Sequence, residues 1–220
     1  MLNIEHMYVA FSKEYYTLND INLKLNNNQK IVIVGNKESG RTVFLRAVLG
    51  LENISKGDVL FNNISVSKID FENDLSLGYL PANPVVLERK TVEQNIEYVL
   101  KIRNTSKSFN EAKVSNAMAE YGLNYIKNKK AKDLCYLDRV KLALARLSVR
   151  NLDVLLIDDV FTNLSGNEKD KIIKFIKDLV KSNSCVTIIM TDSDEIADKF
   201  GYNKKYLVYG SLVDNKEWIN

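Results

Sequence analysis

Apolar residues run almost without interruption at three places, 31–34, 154–157 and 185–190. Short runs without alternation predict strands covered on both faces, as in a parallel sheet flanked by helices. Residues 2–25 read differently. There, apolar positions alternate with polar ones and with aromatics, the pattern of a half-buried antiparallel sheet. A polar cluster at 26–29 turns the chain into the first continuous run. Residues 43–49 read as a helix closed by Gly50, and 57–61 as a strand ending in the Asn62-Asn63 turn. Thr91 with Gln94 three positions on forms a capping-box pattern, followed by apolar spacing through Ile96, Val99 and Leu100. The text then stays mostly helical and polar to Arg150, and 169–181 and 194–200 are helical again. No internal repeat is visible. The continuous runs close on small or acidic residues: Gly35, Asp158-Asp159 and Thr191-Asp192. Strands alternating with helices in this manner predict an open α/β sheet with ligands at the carboxyl ends of its strands. The insert between about 85 and 150 is expected to form a separate helical lobe.

Composition sets the limits. The 220 residues, 45% of them hydrophobic, suffice for one large domain or two lobes sharing a core. The 31 Lys and Arg against 28 Asp and Glu leave +3, too mild and too evenly spread for a dedicated nucleic-acid binder. Two Pro and nine Gly argue against a low-complexity chain. Cys135 and Cys185 offer neither a disulfide framework nor metal-ligand spacing, which suits a reducing compartment. His6 is the single histidine, which excludes histidine-rich metal chemistry. With no basic and apolar leader pattern and no apolar run near the ~20 residues of a membrane span, the expectation is a soluble, cytoplasmic protein.

The chemistry concentrates in Gly35-Asn36-Lys37-Glu38-Ser39-Gly40-Arg41-Thr42, which fits the phosphate-loop spacing G-x-x-x-x-G-K-[ST] except that arginine stands at the lysine. The glycines let successive backbone N–H groups wrap a phosphate, and the helix continuing through Val43 adds its positive end. The Thr42 hydroxyl would hold Mg²⁺, and Asp158 at the end of an apolar strand fits the acid that organises it. Arg41 carries a wide planar fork where a compact ammonium is expected, so it must either push the phosphate away or swing outward. Lys37 is a substitute charge or simply faces solvent.

Taken together, these stretches resemble the nucleotide-binding subunit of ABC transporters over essentially the whole chain. GNKESGRT, LGYLPANPVVLERKTVEQNI, RVKLALAR just ahead of LLIDD, VTIIMTDSDEIADKF and a final YLVYGSLVD follow in order. The resemblance implies an α/β P-loop NTPase with a central, mostly parallel sheet, an N-terminal antiparallel β subdomain and a helical subdomain. It divides the chain into 1–84 with 151–220 as the core plus β subdomain, and 85–150 as the helical subdomain. It also implies ATP and Mg²⁺ as ligands, a transmembrane permease as partner on the inner face of the membrane, and a second ATP-binding subunit. A heterodimer is favoured over a homodimer, and no nucleic acid is expected. Phe11 lies where the family stacks a ring on adenine, with Tyr15 or Tyr16 as alternatives and an ordinary core role equally open.

The departures from the family pattern are systematic. Arg41 replaces the loop lysine, and Ala82 stands where a glutamine senses the γ-phosphate. The LSGGQ signature is Leu134-Cys135-Tyr136-Leu137-Asp138. Asp159 takes the place of the catalytic glutamate, Asp192 that of the switch histidine, and Thr162-Asn163-Leu164-Ser165 that of SALD. A base one methylene short can slow water activation by about 100-fold. Asp138 and Asp192 would repel phosphate, where two charges about 4 Å apart are worth roughly 4 kcal/mol at an effective dielectric near 20. The expectation is an ATP-binding subunit with weak or absent hydrolysis. An active ATPase with tolerated substitutions and a non-binding interaction scaffold are the alternatives. The lysine run at 127–132 is a solvated face or touches acidic lipid headgroups.

Overall fold

In the computed structural model the three continuous runs become adjacent parallel strands, β3 (Lys30–Val34), β7 (Val154–Ile157) and β8 (Val186–Thr191). Every residue of β7 and β8 is buried, as strands covered on both faces are. Val32 sits opposite Ile189, and Leu156 opposite Ile188. The structure describes residues 1–12, 15–70, 75–102 and 107–215. β9 (Asn203–Val208) adds in parallel to the free side of β3, and β10 (Ser211–Val213) folds back on it as a hairpin. β6 (Leu77–Leu80) forms the opposite edge, giving the order β10-β9-β3-β8-β7-β6.

A second sheet pairs β1 (Leu2–Ser12) with β2 (Tyr15–Leu25) and β4 (Lys56–Phe61), all antiparallel, with β5 (Ile64–Ser65) at its edge. The buried positions of β1 change parity along the strand, from Leu2 and Ile4 to Met7 and Val9. Those of β2 change from Leu18 to Ile21, Leu23 and Leu25. His6 and Asp20, both at φ 47°, absorb the extra residue as bulges, so one face stays apolar throughout. Gly57 lies against the first bulge, where a Cβ would collide with the carbonyls of Glu5 and His6.

Two compact units result. One holds Met1–Tyr79, Asp153–Asp159 and Ser184–Asn220, and contains both α1 (Arg41–Val48) and α6 (Asp194–Phe200). Its core joins Ile31, Ile33, Phe44, Leu45, Leu156 and Ile188 with the apolar face of the antiparallel sheet. The other holds Leu80–Leu152 and Val160–Asn183. It contains α2 (Val92–Lys101), α3 (Lys107–Glu120), α4 (Tyr136–Ser148) and α5 (Gly166–Asn183). By compactness α5 goes with the helices, whereas the sequence reading drew the lobe at 85–150. Tyr121 against Phe175 is one of its contacts, with ring centroids 5.0 Å apart. At the start of α2, Thr91 accepts from the Gln94 amide and Gln94 from the Thr91 amide, completing the capping box.

Candidate functional site

The first unit brings the carboxyl ends of β3, β7 and β8 together. The Gly35 amide donates to the Thr191 carbonyl at 3.0 Å, so the loop leaves β3 beside the end of β8. A side chain at Gly35 would collide with Ser39 Oγ and lie 2.9 Å from the Leu207 carbonyl. Ser39 Oγ donates to the Asn36 carbonyl at 2.8 Å, and Asn36 Oδ1 accepts from the Glu38 amide at 3.1 Å. Gly40 then enters α1 from the left-handed region, at φ 94° and ψ 15°. No side chain caps α1, and the Phe44 amide bonds back to the Gly40 carbonyl at 2.8 Å. The amides of Arg41, Thr42 and Val43 precede that bond, in the first turn, where a helix offers N–H groups and dipole to an anion.

Two side chains of α1 reach the acids after β7. Thr42 Oγ1 donates to Asp158 Oδ2 at 2.9 Å. Arg41 Nη1 donates to Asp159 Oδ2 at 2.8 Å, with the two side chains only 7% and 6% exposed. Asp159 Oδ1 is buried with no hydrogen-bond partner among the described residues. Burial pushes the Asp158 carboxyl above its usual range, the neighbouring Asp159 adds to this, and the Thr42 hydrogen bond and Arg41 only partly offset it. Tyr79 is pushed up to about 12 by burial and by the Asp158 charge. Among the described residues no group of three or more His, Cys, Asp or Glu could hold a metal. A hydroxyl and a carboxylate do suit an ion that takes its remaining ligands from phosphate and water. Thr42 and Asp158 therefore fit Mg²⁺.

The remaining predicted residues fall into place unevenly. Asn36, Lys37 and Glu38 are exposed, while Ser39 is buried. Arg41 does not swing outward; it is buried against Asp159, as a buried guanidinium needs a matched carboxylate. Asp192 is exposed in the turn before α6, next to Thr191, whose carbonyl holds Gly35. The side chains of Phe11 and Tyr15 lie outside the described residues. The Tyr16 ring packs edge-on against Tyr8 at 5.5 Å, with the Lys56 ammonium 5.8 Å from its centroid.

The signature region of the helical unit corrects one expectation. Asp138 is not a bare charge: it pairs with Lys141 at 3.0 Å and accepts from the Tyr125 hydroxyl at 3.1 Å and from Cys135 Sγ at 3.3 Å. Burial alone would raise its carboxyl, but these hydrogen bonds and the Lys141 charge outweigh burial and hold it below the usual range. The Tyr136 hydroxyl lies 2.7 Å from the Ala82 carbonyl and 3.0 Å from that of Val160. The sequence reading missed both arrangements. The i,i+3 spacing of Asp138 and Lys141 on one helix was the available signal for the first; nothing local announced the second.

A protein-family model described as ABC transporter matches residues 18–162. The chain belongs to the ABC transporter family. Within that family it is 27% identical over 217 residues to the lipoprotein-releasing system ATP-binding protein LolD of Francisella tularensis, covering 96% of this chain and 93% of LolD. It is 26% identical over 215 residues to the molybdate/tungstate import ATP-binding protein WtpC of Pyrococcus abyssi, covering 97% of this chain and 61% of WtpC. The chain spans 48% to 61% of the length of several curated relatives it matches. Solved ABC structures share the fold. The ATP-binding cassette MJ0796 bound to ADP and phosphate superposes with a TM-score of 0.84 at 19% identity, covering 98% of this chain and 97% of that one. CbiO1 of Clostridium perfringens, part of the ABC transporter complex cbiONQ, gives 0.82 at 20% identity, covering 99% and 90%.

Proposed function

We propose that the chain is an ATP-binding subunit of an ABC transporter that takes Mg-ATP on residues 35–43 and hydrolyses it slowly. Phosphate would sit on the amides of the first turn of α1, with Thr42 and Asp158 as the protein ligands of Mg²⁺. When bound, the ion supplies positive charge against the phosphates. The subunit docks on a transmembrane permease and pairs with a second ATP-binding subunit, a heterodimer partner that retains the better catalytic set.

The contact between Arg41 and Asp159 carries the slow-hydrolysis reading. Asp159 follows the magnesium acid, where the general base is expected, yet Oδ2 is occupied by a guanidinium at 2.8 Å. Arg41 follows Gly40, where a cation is expected on phosphate, yet its charge is spent on that carboxylate. A single buried contact thus withdraws both groups. Bringing Arg41 to phosphate means breaking an ion pair that water does not screen.

The test is steady-state phosphate release from wild type, Arg41→Lys, Asp159→Glu and the double variant. The double variant should exceed wild type by at least about tenfold, since it restores a compact cation and a longer base at once. Wild-type turnover in the usual range of about 1 s⁻¹ or more, or a double variant no faster than wild type, would contradict the reading.

A further inference from the structure

One surface of the helical unit is not used by the nucleotide reading. Residues 88–93 and 127–133 run side by side: the Val92 amide donates to the Lys129 carbonyl at 3.0 Å and Glu93 to Lys127 at 3.1 Å. Ala131 donates to Lys90 at 3.0 Å and Lys132 to Glu88 at 3.2 Å, with Thr91 and Lys130 forming an antiparallel bridge. The pairing gathers Arg89, Lys90, Lys127, Lys129, Lys130 and Lys132, all exposed. Six cations face three carboxylates there, Glu88, Glu93 and Asp133, so these two short segments carry as much net positive charge as the entire chain. None of the six is in an ion pair among the described residues.

The platform is rigid. Fully buried Asn95 accepts from the Leu87 amide at 2.8 Å and donates to the carbonyls of Leu87 and Thr91 at 3.1 and 2.9 Å. From the other side, Arg139 Nη2 holds the Lys132 carbonyl at 2.9 Å. Charges that repel one another are thus held together by backbone and buried amide bonds. Exposed tyrosines accompany them: Tyr98, 41% exposed, lies under the Lys90 ammonium at 5.8 Å, and Tyr125 is 72% exposed.

We propose that this face binds an anionic phospholipid surface, its lysines over the headgroup phosphates and its tyrosines at headgroup depth. Five of the six cations are lysines. These are point charges suited to a diffuse field of phosphates rather than forks suited to base edges. Single-stranded nucleic acid would call for open aromatic faces to stack on, whereas the Lys90 ammonium lies over the Tyr98 ring. Each lysine near an anionic surface is worth about a fivefold gain in partitioning, lost as salt shortens the screening length.

The experiment is co-sedimentation of the whole chain with vesicles of phosphatidylcholine alone or with about 30% phosphatidylglycerol. Lys127, Lys129, Lys130 and Lys132 are changed together to Gln in one variant. Lys24, Lys68, Lys174 and Lys181, all exposed elsewhere, are changed together in the control, with the same loss of charge. Circular dichroism and melting confirm that both fold. Wild type should bind only the anionic vesicles, and the first variant should fall by about 100-fold or more. The control should lose less than about a tenth of that effect. Absence of binding to anionic vesicles, or equal loss in both variants, would overturn the proposal. So would tighter capture of an RNA oligonucleotide than of vesicles, abolished by the first variant.

Discussion

Arg41 and Asp159 lie 118 positions apart in the sequence and 2.8 Å apart in the fold. Each is almost wholly buried, so each depends on the other for compensation. Asp159→Ala leaves a guanidinium without its carboxylate and should cost about 3–5 kcal/mol in urea denaturation. Asp159→Asn keeps an acceptor and should cost less. Asp158 makes a different prediction. Its burial holds the proton more tightly than an unfolded chain would, so this group favours folding as pH falls through its raised pKa and loses that effect above it. Magnesium binding needs the anion. Mg-dependent nucleotide affinity should therefore weaken on acidification while the pH is still above the ordinary aspartate value, as followed by titration between about pH 8 and 5. An Asp158→Asn variant with the same pH profile as wild type would remove Asp158 from the metal site.

Among the elements, Gly40 shows most directly how backbone geometry makes a site. At φ 94° a side chain there would be strained, and its Cβ would lie 3.0 Å from Leu18 Cδ2 and 3.3 Å from the Thr17 carbonyl. Gly40→Ala should cost about 1–2 kcal/mol in stability and weaken nucleotide binding at least about tenfold, by tilting the first turn of α1. Thermal melting and fluorescent-nucleotide titration separate the two effects. The sequence displayed much of this scale. The runs at 31–34 and 154–157 were legible as buried strands because nothing polar interrupts them, and the capping box because Thr91 and Gln94 have the required spacing. The parity changes around His6 and Asp20 were present too, but a bulge is recognisable only once both strands are paired. Arg41 and Asp159 were legible as departures, not as partners, since no local pattern links residues so distant. Asp138 taken alone reads as a repulsive charge; the partner that neutralises it, Lys141, lies one helical turn on.

At the level of the whole molecule, the fold is that of solved ABC cassettes, and among the described residues no helix is long and apolar enough to cross a membrane. On the proposed function, nucleotide sits on residues 35–43, and the side chains around them set how well it is used. A loop whose backbone presents amides to an anion, beside a Thr42–Asp158 pair that fits magnesium, should bind. An arginine committed to the expected base should not support rapid cleavage. Calorimetric titration of the whole chain with Mg-ATP tests this combination most directly, with phosphate assayed in the same sample. The account predicts saturable binding of one nucleotide per chain, with the ATP recovered largely intact. No binding heat at millimolar Mg-ATP would contradict it.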